Sequence, residues 1–223
     1  MAARNEPVSL RLFDEPERKK EKILVSPGAF ILAGYAREQM DTIFAALGAV
    51  ESVSPFRHMV TRQGFEIHVE TTGCGPLSWV SDRGGYRYDH IDPITGRPWP
   101  PMPQPFFDMA RSAAAEAGYA NFTPDSCLIN RYNPETTSAL HRDGEQDTTQ
   151  PVVTISVGVS VSFMWGGNER TDKTKPHLLT HGDVMVFGGP SRLYFHGVKQ
   201  LKGGENHPLT GVRRYSITLR KAS

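Results

Sequence analysis

The second half of the chain reads as a series of short β-type segments that no helical segment interrupts. Clusters of Gly, Pro, Asn and Asp separate these segments, and such clusters are typical of turns. Several short strands in a row, without helices between them, predict an antiparallel sandwich or barrel. The candidate strands are CLINRY (127–132), VVTISVGVSVSFMW (152–165), HLLTHGDVMVFG (177–188), RLYFHGV (192–198) and RRYSITLRK (213–221).

The first half of the chain carries two amphipathic helices. From Glu38 to Val50 the apolar residues recur at spacings of three and four, and a second helix begins near Pro105 and ends at Gly118. Between the helices, FEIHVE (65–70) alternates like a strand, and a proline-rich loop follows it. We therefore predict an α+β, mainly β fold in which helices and a loop-rich segment precede the β-sandwich.

Composition limits the possible functions only weakly. The 223 residues suffice for one domain, and 25 basic against 24 acidic residues leave a net charge of +1, which neither demands nor excludes a nucleic-acid partner. No stretch has the roughly 20 apolar residues that span a bilayer. Residues 1–22 are polar and are predicted to form a flexible leader without a secretory signal. With only Cys74 and Cys127, a reduced cytoplasmic setting is expected, and a metal would have to be held by His and carboxylate ligands.

The polar stretch RYNPETTSALHRDGEQD contains His141 and Asp143 one residue apart. In an extended backbone these two side chains point the same way. His196, 53 residues after Asp143 and at the end of RLYFHGV, is a good candidate for a third ligand. Two histidines and one carboxylate on one face leave three open positions on an octahedral iron.

A second His-x-Asp tripeptide, His181-Gly182-Asp183, shows that the short motif also recurs by chance. This copy leads directly into the apolar run VMVFGG. We interpret it as a turn before a buried strand, in which Asp183 accepts hydrogen bonds from backbone N–H groups. Taken alone, each copy is more often structural than catalytic, and the same holds for a single strand histidine such as His196.

The last strand divides its residues between two faces. Tyr215, Ile217 and Leu219 share one face, and Arg214, Ser216, Thr218 and Arg220 share the other. A solvated edge would explain this pattern, but so would a strand that lines a cavity, where buried arginines need anionic partners. Leu128, Asn130 and Tyr132 are in phase on CLINRY and offer a similar face.

As a set, LINRYNPETTSALHRDGE, RLYFHGV and RRYSITLR resemble the AlkB family of iron(II)- and 2-oxoglutarate-dependent dioxygenases. SPFRHMVT, IDPITGRPWPPMPQPF and GGPSRLYFHG are similar to its bacterial DNA-repair branch. The resemblance runs in order over about residues 25–221. It implies a single domain over 23–223, with a nucleotide-recognition lid at 56–92 and a double-stranded β-helix (jelly-roll) core at 125–221.

By this resemblance, His141, Asp143 and His196 bind Fe(II), and the co-substrates are 2-oxoglutarate and O2. The resemblance pairs Arg220 with the distal carboxylate of 2-oxoglutarate and places Arg214 near the metal end. The further co-substrate contacts that it implies are Leu128, Asn130 and Tyr132. The implied reaction hydroxylates an N-methyl carbon, which leaves as formaldehyde while 2-oxoglutarate becomes succinate.

The implied substrates are alkylated bases of the 1-methyladenine and 3-methylcytosine type, in single- or double-stranded DNA and also in RNA. Such a base must leave its stack to reach the metal. Trp79 resembles the family's stacking tryptophan, and His196 would form the opposite wall. The other nucleic-acid contacts implied are Thr61, Tyr86, Glu145 and Arg170. Glu145 departs from the family pattern, because an Asp is expected there.

Three alternatives remain open from the residues alone. The iron core could act on a protein side chain or a small molecule instead of a base. The chain could be a non-catalytic nucleic-acid-binding sandwich with a degenerate metal site. The same ligands could also hold zinc in a hydrolase, although Arg214 and Arg220 would then have no evident task. We expect a monomeric cytoplasmic enzyme without a membrane partner.

Overall fold

The structure is a computed structural model, and it describes residues 19–144, 147–199, 201 and 206–223. The helices of this part are α1 (Met40–Val53) and α2 (Gln104–Glu116), with 3-10 turns at Arg37–Gln39 and Gly189–Ser191. The strands are β1 (Glu21–Ser26), β2 (Ala29–Ala33), β3 (Arg57–Val60), β4 (Glu66–Cys74), β5 (Ser78–Asp82), β6 (Gly85–Asp89), β7 (Ile91–Asp92), β8 (Arg97–Pro98), β9 (Ser126–Tyr132), β10 (Ser138–His141), β11 (Val152–Gly158), β12 (Val161–Trp165), β13 (Lys175–Leu179), β14 (Val184–Phe187), β15 (His196–Val198) and β16 (Arg214–Arg220). Neither α1 nor α2 is long and apolar enough to cross a membrane.

Two antiparallel sheets form the body of the molecule. The larger has eight strands in the order β1-β2-β14-β11-β16-β9-β4-β3, and the smaller has four in the order β10-β15-β12-β13. One apolar cluster lies between the two sheets, and a second lies between the larger sheet and the helices. The result is a helix layer, a large sheet and a small sheet, which confirms the predicted jelly-roll with helices packed outside it.

The helices form where the apolar spacing predicts them. In α1 the buried residues are Met40, Ile43, Leu47 and Val50, and in α2 they are Phe106, Met109, Ala110, Ala113 and Ala114. Pro105 lies in the first turn of α2, where a missing N–H costs nothing. Gly118 follows the helix with a φ of 100°, a left-handed conformation that glycine adopts without strain. Both helices bury their apolar stripe against the larger sheet.

Two of the predicted strands prove to be pairs of strands in different sheets. The run 152–165 breaks after Gly158, so that β11 belongs to the larger sheet and β12 to the smaller. Gly158 has a φ of 91°, and a Cβ atom there would lie 2.4 Å from the Arg213 carbonyl oxygen. The run 177–188 divides in the same way, into β13 and β14. The turn predicted at His181-Gly182-Asp183 is the corner between β13 and β14, whereas the corner at Gly158 was not predicted, because residues of β type continue on both sides of it.

Other predicted boundaries were wrong in detail. RLYFHGV is a strand only from His196 onward, because the 3-10 turn at Gly189–Ser191 carries the chain around a corner first. β1 begins at Glu21, inside the segment predicted as leader, and residues 1–18 lie outside the described part. The sandwich also extends beyond 125–221, since β1 to β4 supply half of the larger sheet. The segment predicted as a lid therefore contains two strands of the main sheet, β3 and β4, and a separate hairpin of β5 and β6.

Candidate metal centre

Sheet register brings the predicted ligands together. β10 ends at His141, and β15 begins at His196, and these two residues are opposite one another in the antiparallel pair. Asp143 follows His141 by two residues, so its side chain points to the same side of the chain. One β-ladder thus brings His196 close to Asp143, although the two residues are 53 positions apart in the sequence.

The three side chains converge on one point. A ligand atom from each of His141, Asp143 and His196 lies within 4.8 Å of the others. The Nε2 atoms of both histidines are 4.0 Å from an oxygen of Asp143, and the two imidazole centroids are 4.6 Å apart. The side chains of Asp143 and His196 are buried, whereas that of His141 is 47% exposed. The cluster is therefore open to solvent on the His141 side.

Both histidines are oriented by backbone carbonyls. His141 Nδ1 hydrogen-bonds to the Ala139 carbonyl oxygen and His196 Nδ1 to that of Tyr194, each at 2.9 Å. These bonds require the proton on Nδ1, which leaves Nε2 with a free lone pair facing the centre. Burial, together with the neighbouring His141, lowers the pKa of His196 to about 4. At neutral pH the ring is therefore uncharged and able to bind a metal.

Asp143 is kept ionised by a guanidinium. Burial, the largest influence, would raise the pKa of its carboxyl, but the charge and hydrogen bonds of Arg220, together with the two neighbouring histidines, outweigh that cost and hold the pKa below its ordinary value. Arg220 donates from Nε (3.1 Å) and from Nη2 (2.9 Å) to Oδ2 of Asp143. The donor set is thus two neutral imidazoles and one carboxylate, which suits ferrous iron with positions left over for other ligands.

A pocket extends from this centre across the inner face of the larger sheet. The predicted alternation of the last strand is confirmed: Arg214, Ser216, Thr218 and Arg220 face the pocket, and the apolar residues between them pack against the helices. Asn130 and Tyr132 line the pocket from β9. Leu128 is buried opposite Thr218 in the same ladder and so shares its face. The remaining wall residues include Thr154, Phe163 and Phe187.

The positions of the two arginines in the pocket are the reverse of those that the resemblance assigned. Arg220, expected at the far end, is bonded to the metal ligand Asp143. Arg214, expected near the metal, is six residues away along β16, where its Nη2 donates to Ser156 and its guanidinium lies over the Tyr132 ring. Strand alternation predicts the face of a side chain but not which end of the ladder approaches the ligands.

Arg214 supplies a test of whether the pocket fits an anion. Its side chain is fully buried, and burial lowers the pKa of its guanidinium. Its Nε and Nη1 atoms have no hydrogen-bond partner among the described residues. A buried cation with unsatisfied donors is costly unless a ligand supplies acceptors. The pocket therefore fits a small carboxylic acid that reaches from the metal centre to Arg214.

The second His-x-Asp tripeptide is structural, as predicted. Asp183 Oδ1 accepts from the backbone N–H of Gly34, and Oδ2 accepts from the N–H and hydroxyl of Thr180. His181 Nδ1 accepts from the N–H of Gly158 at 3.1 Å. The tripeptide forms a turn just before β14, and its polar atoms are used to hold backbone rather than to face a pocket.

The predicted base-contacting residues are dispersed. Trp79 and Tyr86 stack on one another across the β5–β6 hairpin, with ring centroids 5.5 Å apart and planes at 17°. Thr61 caps a turn by accepting from the N–H of Phe65, and Arg170 is exposed in a loop after β12. Glu145 lies outside the described residues. The structure thus brings together two of the five predicted contacts.

Several side chains around the centre escaped the sequence analysis. Phe163 and Trp165 stack beside the His196 ring at centroid distances of 5.7 and 5.8 Å, which leaves little ring surface for the wall that the resemblance implies. Arg192 is buried and donates to the carbonyl oxygen of Asp143. Tyr88 interacts electrostatically with both Arg192 and Arg220. The alternation of VSFMW indicated the aromatic wall, but no pattern marked Arg192 or Tyr88.

Comparisons with known proteins agree with this geometry. The model of the 2OG-Fe(II) oxygenase superfamily matches residues 28–220. The alpha-ketoglutarate-dependent dioxygenase AlkB of Escherichia coli K12 is 45% identical over 96% of this chain and 98% of its own length. The human nucleic acid dioxygenase ALKBH1 is 28% identical over 56% of this chain and 32% of its own length.

A solved structure shows the same architecture. That of OsALKBH1 is 25% identical, with a TM-score of 0.77, and the match covers 90% of this chain and all of that one. This family requires Fe(II), 2-oxoglutarate and O2, and the centre described above has a donor set and an anion pocket that fit them. The chain belongs to the AlkB family of 2-oxoglutarate- and Fe(II)-dependent dioxygenases.

Proposed function

We propose that this dioxygenase removes alkyl groups from the ring nitrogens of nucleobases in DNA, of the 1-methyladenine and 3-methylcytosine type, with RNA as a second substrate. The observation that carries the proposal is the aromatic face of the β5–β6 hairpin. Trp79 and Tyr88 are opposite one another in that hairpin and so share a face, and Tyr88 lies near enough to Arg192 and Arg220, beside the metal centre, to contribute upward to the pKa of both guanidinium groups. A flat, aromatic surface next to an oxidising centre suits a base that has left its stack.

In this proposal the chain's own residues hold each reactant in place. His141 Nε2, Asp143 and His196 Nε2 bind Fe(II). When bound, Fe(II), 2-oxoglutarate and O2 supply the oxidation that hydroxylates the alkyl carbon, with succinate, CO2 and formaldehyde as final products. The two Nδ1–H···O=C bonds keep both imidazoles in the tautomer that binds metal, and Arg220 keeps Asp143 ionised.

The co-substrate is oriented by the two ends of β16. Arg214 offers its free Nε and Nη1 donors to the distal carboxylate of 2-oxoglutarate, which stabilises the buried cation. Arg220 lies at the metal end, beside the keto-acid group. Asn130 and Tyr132 on the neighbouring strand donate hydrogen bonds to the bound acid, and Leu128 packs against it.

The base is held on the other side of the centre. Without substrate, Trp79 stacks on Tyr86, whose side chain is half exposed, so base binding exchanges one stacking partner for another. Each such stack contributes about 1–3 kcal/mol. We propose that Tyr86, Thr61 and Arg170 contact the phosphate backbone. Glu145 accepts from the exocyclic amine of the base.

We further propose that the enzyme is a cytoplasmic monomer. Both of its cysteines, Cys74 and Cys127, are free and buried, which agrees with a reducing compartment. Residues 23–223 form the dioxygenase domain, in which residues 56–92 recognise the nucleotide.

The test is formaldehyde release from oligonucleotides that carry 1-methyladenine or 3-methylcytosine. We expect release that requires both Fe(II) and 2-oxoglutarate, on single- and double-stranded DNA and on RNA. Trp79→Ala should raise the KM for the oligonucleotide about 5- to 150-fold, which corresponds to the loss of one base stack. The matched control is Phe65→Ala, an exposed aromatic at the neighbouring β3–β4 turn that was not assigned to stacking.

The assay also separates the alternatives. Succinate formation that methylated oligonucleotides do not stimulate, in a protein that binds Fe(II) and 2-oxoglutarate, would contradict a nucleobase substrate and favour a protein or small-molecule substrate. An unchanged KM for Trp79→Ala would contradict the assignment of the stacking face while leaving the reaction class intact.

A further inference from the structure

Arg192 is a buried cation whose guanidinium donates hydrogen bonds to backbone carbonyl oxygens. It follows the 3-10 turn at Gly189–Ser191 and is 2% exposed. Its Nη1 donates to the carbonyl oxygen of Asp143 at 2.7 Å, and its Nε donates to that of Gln150 at 2.8 Å. A buried guanidinium ordinarily faces a carboxylate, because desolvating the charge is costly. Arg192 instead bridges two main-chain oxygens seven residues apart.

These two oxygens mark the beginning and the end of one loop. Asp143 is the proposed metal ligand just after β10, and Gln150 lies two residues before β11. Midway, the N–H of Asp147 donates to the carbonyl oxygen of Lys221 at the end of β16. Glu145, proposed to contact the base, belongs to the same loop and lies outside the described residues. One side chain therefore ties the metal ligand Asp143 to the residue that precedes β11 by two positions.

Arg192 and Arg220 act on different parts of Asp143. Arg220 bonds to carboxylate Oδ2 and so controls the charge and the rotamer. Arg192 donates a hydrogen bond to the main-chain oxygen of Asp143 and so controls the position of the Asp143 backbone. Tyr88, on the β5–β6 hairpin, lies near enough to contribute upward to the pKa of both guanidinium groups. The two arginines thus hold the carboxylate and the main chain of the same metal ligand.

We propose that Arg192 is a positioning residue for the metal site: it ties the main chain of Asp143 to that of Gln150, so that the Asp143 carboxylate meets both imidazoles. This inference rests on the ligand set in the proposed function. Contacts that orient metal ligands without touching the metal typically change metal affinity 10- to 100-fold, so a loss of about that size is expected when the bridge is broken.

The experiment titrates Co(II) into the metal-free full-length protein and follows the optical absorption of the bound ion. The variants are Arg192→Lys, which keeps the charge but cannot fork to two carbonyls, and Arg192→Gln, which removes the charge. The matched control is Arg142→Gln. Arg142 lies between His141 and Asp143 in sequence, yet it is exposed and lies over the Phe195 ring.

We expect the Co(II) dissociation constant to rise about 10-fold in Arg192→Lys and up to about 100-fold in Arg192→Gln, and to stay within twofold of the original protein in Arg142→Gln. A merely structural role would lower the melting temperature and leave the Co(II) constant of the folded variants unchanged, and that result would overturn the proposal.

The outcome does not depend on turnover. If no oligonucleotide is demethylated but Co(II) affinity falls in the Arg192 variants, the proposal for Arg192 stands although the proposed function fails. If the original protein binds no Co(II), the ligand set itself is wrong. If Arg192→Gln does not fold, Arg192→Lys decides. A failure of Arg192→Lys to fold would also count against the proposal, because the guanidinium would then be required for folding.

Discussion

Two of the three His-x-Asp tripeptides in the chain, His141-Arg142-Asp143 and His181-Gly182-Asp183, differ in almost every contact. In the first, His141 Nδ1 donates to a carbonyl oxygen and leaves Nε2 free, whereas in the second, His181 Nδ1 accepts from the N–H of Gly158. Asp143 bonds through its side chain to Arg220. Asp183 instead accepts from two backbone N–H groups and the Thr180 hydroxyl.

The difference lies in where each tripeptide stands in the fold. His141 closes β10 and faces His196 across a ladder, so a third ligand is supplied. His181 stands in a turn before β14, and its ring packs against His207 at a centroid distance of 4.3 Å. The tripeptide alone therefore carries no function. Its role is decided by the strand register and by which groups already satisfy the carboxylate.

The largest expected effect separates the two histidines by turnover. His141→Ala removes a metal ligand and should reduce turnover by more than about 100-fold, which exceeds the effect of altering an indirect contact. His181→Ala leaves the ligands intact but removes the hydrogen-bond acceptor of the Gly158 N–H. This loss should lower the free energy of unfolding by about 1–2 kcal/mol. Formaldehyde assays and urea unfolding of both variants measure these effects.

The distinction between the two tripeptides would be contradicted if the two outcomes were exchanged. A folded His181→Ala protein that loses iron, together with a His141→Ala protein that retains it, would show that the functional and structural copies had been confused. The melting temperature of each variant must be measured alongside activity, so that loss of fold is not mistaken for loss of ligand.

A smaller effect separates the two aspartates by stability. Asp183→Asn places an amide N–H against the N–H groups of Gly34 or Thr180 and should lower the unfolding free energy by about 2–3 kcal/mol. Asp143→Asn should keep the fold while losing Co(II) binding. Chemical denaturation and Co(II) titration of each variant test both statements. Equal destabilisation by the two changes would contradict the distinction.

The smallest effect is a pH dependence of stability in the second copy. Burial, with the neighbouring His207 and Arg37, lowers the pKa of His181 to about 4. Between pH 6.5 and 4 the unfolded chain therefore binds a proton that the folded chain does not, so stability falls as the pH falls through this window. Because His181 is partly exposed, we expect only about 1–2 kcal/mol.

This dependence is checked by measuring the unfolding free energy of the metal-free protein at several pH values, with and without His181→Asn. The variant should show a shallower slope between pH 6.5 and 4. His196 contributes in the same direction, because burial also lowers its pKa to about 4, so part of the slope should remain. An unchanged slope in the variant would contradict the assigned protonation of His181.

The sequence predicted what depends on local periodicity. The alternation from Arg214 to Arg220 indicated the pocket face, and the spacing of Met40, Ile43, Leu47 and Val50 indicated α1. The turn at His181 was also predictable, since an apolar run follows it at once. In each case the determining interactions lie within a few residues of one another.

The sequence could not predict what depends on long-range register or on direction. Alternation does not show that Arg220, rather than Arg214, meets Asp143, because both lie on one face. The corner at Gly158 was hidden because the β-type alternation continues on both sides of it. Arg192 lies in a segment that resembled a strand, and its partners at Asp143 and Gln150 are more than forty residues away. The position of His196 at the end of RLYFHGV made it a candidate ligand, and the family resemblance was needed to prefer the metal role over that of an ordinary strand histidine.

The most direct test of the metal centre is anomalous diffraction from crystals of the full-length protein grown with Mn(II) and 2-oxoglutarate. We expect one strong anomalous peak bound by Nε2 of His141, Nε2 of His196 and the carboxylate of Asp143. The diacid should extend from the metal to Arg214. A peak at His181 and Asp183, or a metal bound by His141 and Asp143 with His196 remote from it, would contradict the account.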